Sequence, residues 1–156
     1  MRTCVPATLL LFAGSLSAAR LPYTEQQVIS YAKSVDVRML DPSLPSERLE
    51  NWLQSGPPHV HVYSYVVADT CNLKPLSAKG DYPLCVRVAF GRDNVRGFFL
   101  VQVGTESKGI VGHPQVYGDI NIVNMKEPSA WTGTMRLSDL PTVLDHAHMG
   151  DVPIGR

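Results

Sequence analysis

At Pro57 and Pro58 the apolar residues of this chain stop recurring at helical spacing and begin to alternate, and that change of period restricts the fold more than any other feature. A helix gathers residues three and four apart onto one face, whereas a strand gathers every second residue, so the segments on either side of the prolines must build different layers. Before the prolines, Thr24 followed by Gln27 makes a capping box, and Val28, Tyr31 and Ala32 share a helical face, which predicts a helix over 24–34. Asp41, Pro42 and Ser43 break the chain. Pro45 suits the first turn of a second helix, with Glu47 and Glu50 near its positive end. Leu49, Trp52 and Leu53 form its apolar stripe, with Trp52 as a core anchor, until Gly56 stops it.

After the prolines, His59, His61, Tyr63 and Tyr65 alternate with Val60, Val62, Ser64 and Val66, which predicts a strand with one aromatic, polar face and one largely aliphatic face. Residues 84–90 place Val86, Val88 and Phe90 on one side, residues 97–103 do the same with Phe99, Val101 and Val103, and the turn formers between them predict a hairpin. A fourth strand is expected over 115–123, bulged or interrupted at Gly118 and Asp119. Residues 127–133 read as loop. Ser138, Asp139, Leu140 and Pro141 then open a short final helix carrying Val143, Leu144 and Ala147, which Gly150 ends.

Helices followed by consecutive strands predict an α+β domain, in which N-terminal helices pack on a three- to four-stranded antiparallel meander, because a parallel sheet would need a crossover helix between successive strands. The helices are expected on the face bearing Val60, Val62, Val86, Val88, Val101 and Val103. This layout is similar in outline to the cystatin-like and NTF2-like folds, where helical segments pack on a curved antiparallel sheet. A shared layout implies nothing about activity.

Residues 1–19 read as a secretory leader: Arg2 supplies the positive end, Val5 to Leu16 an apolar run shorter than a membrane span, and Ser17, Ala18 and Ala19 a small-residue cleavage site before Arg20. Residues 20–156 then form a single secreted or periplasmic domain with no stable membrane insertion after cleavage. Of the 3 cysteines, Cys4 belongs to the leader, so Cys71 and Cys85 are left to pair with each other in an oxidising compartment. The 14 basic and 14 acidic residues are dispersed rather than clustered, which argues against nucleic acid as a partner.

The chemistry-bearing residues form few patterns. His59 and His61 stand two apart on a strand, a spacing that can chelate zinc or copper, but no matched third ligand accompanies them; His146 and His148, also two apart, point to different sides of a helix. The segment 104–109 lacks the ending of a phosphate loop and reads as a turn, and there is no G-x-S-x-G elbow. No catalytic residue and no cofactor are assigned. The expectation is a non-enzymatic binding module for a protein, peptide or small ligand, using the sheet face that carries Tyr63, Tyr65, Arg87 and Gln102. The alternative is a small metal-assisted secreted enzyme built on His59 and His61.

Overall fold

A computed structural model describes residues 23–68, 71, 83–106, 108–126, 130–133 and 135–149. The expected leader, its cleavage point before Arg20 and the stop at Gly150 lie outside them. Thr24 caps helix α1 (Glu25–Ser34) through the predicted reciprocal bonds with Gln27, and Val28 and Ala32 are its buried face. A one-turn helix α2 (Val37–Leu40) follows, which the sequence analysis does not anticipate; the Asp36 carboxylate caps it by accepting from the Arg38 amide at 2.9 Å.

Helix α3 (Leu49–Ser55) buries Leu49, Trp52 and Leu53 as expected, yet starts four residues after Pro45. The delay has a non-local cause. Ser46 donates its hydroxyl to Asp36, the Val37 amide donates to the Glu47 carbonyl at 2.8 Å and the Leu49 amide to the Val35 carbonyl at 2.8 Å. These bonds hold the segment before Leu49 extended alongside residues 35–37, and they use the carbonyl and amide groups that an earlier helical turn would need.

Strands β1 (His61–Ala68), β2 (Leu84–Arg92), β3 (Val95–Glu106), β4 (Gly109–Asn124) and β5 (Ala130–Gly133) form one antiparallel sheet in sequential order. The meander is as expected, but it has five strands rather than three or four: the end of the expected loop at 127–133 pairs with β4, Ile122 opposite Trp131 and Val123 opposite Ala130. The β2–β3 hairpin closes with Arg92 opposite Val95, and Asp93 adopts the positive φ of 52° that a two-residue turn demands. Strand β4 is longer than predicted and carries two surplus residues at each of two places. Residues 118–120 face the single residue Phe99, and residues 112–114, including buried Pro114, face the single residue Val103. Proline is tolerated at a bulge because the ladder is interrupted there, and two bulges bend the strand.

The helices cover one face. Helix α1 packs on β1, β2 and β3, α3 on β1, and α2 on β4. The last helix, α4 (Leu140–Met149), is entered through a 3-10 turn (Leu137–Asp139) and packs on β3 and β4. Val86, Val88, Phe90, Phe99, Val101 and Val103 are fully buried under them, with Phe90 and Phe99 ring centroids 5.8 Å apart. At about 25 cal/mol per Å² of apolar surface removed from water, such a layer is the main favourable contribution to folding. Among the described residues no helix is long and apolar enough to cross a membrane.

Candidate functional site

One extra residue in β1 decides which side chains reach the open face of the sheet. Val62 pairs with Phe90 and Ser64 with Ala89, so Tyr63 is bulged out of the ladder. Past the bulge every side chain has changed sides. Tyr65 and Val67 therefore pack against the helix-covered core, while Val66 is 52% exposed on the open face. Strict alternation puts Tyr63 and Tyr65 together, and the bulge separates them.

Tyr63 remains on the open face, 49% exposed, its ring edge-on to His61 at 4.7 Å and beneath the Arg96 guanidinium at 4.9 Å. Gly91 makes the arrangement possible, since a Cβ there would come within 2.8 Å of the Tyr63 ring. Arg96 also donates to the Asp93 and Val95 carbonyls at 3.1 and 3.0 Å, so it braces the hairpin as well as stacking. Arg87 lies further along the same face, its guanidinium 4.1 Å from the Phe98 ring centroid and its neighbours across the strands Val66 and Leu100. Neither Arg87 nor Arg96 has a carboxylate partner among the described residues, whose ion pairs are Lys33 with Glu50, Arg38 with Asp36, and Arg92 with Asp145.

Tyr65 and Gln102 are placed elsewhere. Burial, assisted by the negative charge of Glu50, pushes the Tyr65 phenol up to about 12, and its hydroxyl has no hydrogen-bond partner among the described residues. Lys33 stands 4.9 Å from its ring on the helix side. Gln102 points to the open face but is fully buried there, with both side-chain amide atoms unpartnered among the described residues; it sits opposite Cys85, whose bond to Cys71 spans Cα atoms 5.4 Å apart. On β2 and β3 that end of the face is buried, and their exposed open-face side chains run from Arg87 to Arg96 at the β2–β3 turn.

The histidines whose side chains are described do not converge. His59 precedes β1 with a positive φ of 42°, His61 faces Tyr63, His113 is exposed on β4, and His146 is half-buried on α4. The His148 side chain lies outside the description. Among the described residues no group of three or more His, Cys, Asp or Glu side chains is placed to hold a metal ion. Phe98, Leu100 and Arg96 are not among the site residues expected from the sequence, although the alternation of Phe98 and Leu100 with Phe99 and Val101 places them on the face opposite the aliphatic one.

On the helix side, a cleft of about 450 Å³ opens between the loop after α2, the middle of β4 and the 3-10 turn. Asp41 is built into its wall. The carboxylate accepts from the Ser43 amide at 3.0 Å, the Ser43 hydroxyl at 2.7 Å and the Ser138 amide at 2.9 Å. Burial alone would raise its pKa, but the bonds from Ser138 and Ser43 together outweigh it and hold the carboxyl well below the usual range.

Comparison of the chain with protein-family models, with curated proteins and with solved structures found no match.

Proposed function

We propose that this protein is a non-enzymatic binding module of an oxidising, extracytoplasmic compartment, and that the open sheet face carrying Arg87, Phe98, Tyr63 and Arg96 docks a polypeptide presenting carboxylates among apolar side chains. One observation carries the reading: Arg87, exposed, has its guanidinium over the Phe98 ring and no carboxylate partner among the described residues. A guanidinium stacked on a ring is held in position by its face while its edge keeps the N–H fork that matches a carboxylate. Exposed Val66 and half-buried Leu100 beside it supply apolar contact, and Arg with aromatic neighbours is the composition of energetic anchors at protein interfaces. The Cys71–Cys85 disulfide supports the compartment.

The test is selection of displayed random peptides on the folded, oxidised protein. Enriched peptides should carry Asp or Glu next to apolar residues, bind more weakly as salt rises, and lose at least about thirtyfold in affinity to Arg87→Ala, the size of an interface hot spot. Enrichment without acidic residues, or binding that Arg87→Ala leaves unchanged, overturns the proposal.

A further inference from the structure

We infer that the cleft between the loop after α2, β4 and the 3-10 turn is a separate site for a small amphipathic anion, an apolar chain or ring ending in a carboxylate. Its volume of about 450 Å³ falls in the range of small-molecule sites. Leu40, Val116, Met135 and Leu137 give it an apolar wall, and three polar residues complete the described lining besides Pro42: Asp41, Ser43 and Arg136.

Sign decides the ligand class. Asp41 would favour a cation if its oxygens were open, but one already accepts two hydrogen bonds from Ser43 and the other accepts from the Ser138 amide. Asp41 keeps its charge, but both its oxygens are engaged, so the group left free for a charge-assisted contact is Arg136, which is exposed and has no ion-pair partner among the described residues. An apolar wall with an exposed, unpaired arginine in its lining complements a molecule with an apolar body and an anionic head. Val116 pairs with Val101 of the core, so the cleft is on the helix-covered side of the sheet and is independent of the Arg87 surface. Either site can fail without the other.

Octanoate, octanol and octylamine, equal in chain length and different in head-group charge, are the probes, and backbone amide shifts in nuclear magnetic resonance titrations of the oxidised protein are the readout. Octanoate should give saturable shifts at Leu40, Val116, Met135 and Leu137, and should bind about tenfold more tightly than octylamine, as one charge-assisted contact allows. Arg136→Gln, a change at an exposed side chain, should weaken octanoate about tenfold and leave octanol unchanged. Octanoate shifts centred elsewhere, equal binding of the amine, or no effect of Arg136→Gln each overturn the inference.

Discussion

Asp41 joins two parts of the chain that are 97 residues apart, since its carboxylate binds Ser43 in its own loop and the Ser138 amide of the 3-10 turn before α4. Hydrogen bonds to a buried charge contribute more than neutral ones, because removing the charge leaves amide donors facing a group that cannot accept equally well. Asp41→Asn should therefore lower unfolding stability by about 1.5–3 kcal/mol in urea titrations at neutral pH. The pH dependence has a defined sign. The folded-state pKa lies below the ordinary value of 3.8, so the stabilisation is fully present above that value and is lost as pH falls from there through the folded value. The stability gap between parent and Asp41→Asn should be flat near neutrality and narrow below about pH 4. A gap that widens in acid would mean that the carboxyl is held protonated in the fold.

Helix α3 and strand β1 show how differently two neighbouring elements respond to substitution. Leu53 is fully buried where α3 meets the sheet, and Leu53→Ala should cost about 2–5 kcal/mol, the range for large core truncations. Val66 lies past the β1 bulge on the open face, so Val66→Ser should stay within about 0.5 kcal/mol of the parent. A large loss at Val66 would show that the strand runs without the bulge. The same bulge marks what could be read from residues alone. The capping box of Thr24 and Gln27, the stripe of Leu49, Trp52 and Leu53, and the alternating valines of β2 and β3 are local patterns, and each forms the expected element. The surplus residue Tyr63 has no compositional mark, and it turns Tyr65 away from the face on which alternation puts it. The start of α3 depends on Asp36 and Val35, and β5 exists only as a partner of β4; both are non-local facts. Of the four side chains expected to share a surface, Tyr63 and Arg87 do so, while Gln102 is sealed beside the disulfide.

At the scale of the whole molecule, the Cys71–Cys85 bond closes the sheet end that lies away from the β2–β3 hairpin. Ala68, at the end of β1, pairs with Cys85, at the start of β2, so the ladder already brings these strand ends together before the bond forms. The bond then removes freedom chiefly from the unfolded chain, a contribution of about 3 kcal/mol for a closed loop of this length. Its second effect is local. Fully buried Gln102 lies opposite Cys85, and its side-chain amide has no hydrogen-bond partner among the described residues. Reduction should therefore lower the melting temperature by about 10 °C. It should also speed hydrogen exchange at Cys85 and Gln102, while the amides of the central β3–β4 pairing between Val95 and Phe98 stay protected. Intact mass after alkylation, with and without reductant, establishes the starting state. Two thiols that alkylate freely in the native protein, or exchange that rises evenly over all five strands after reduction, would show that the bond does not act as a local latch on this end of the sheet.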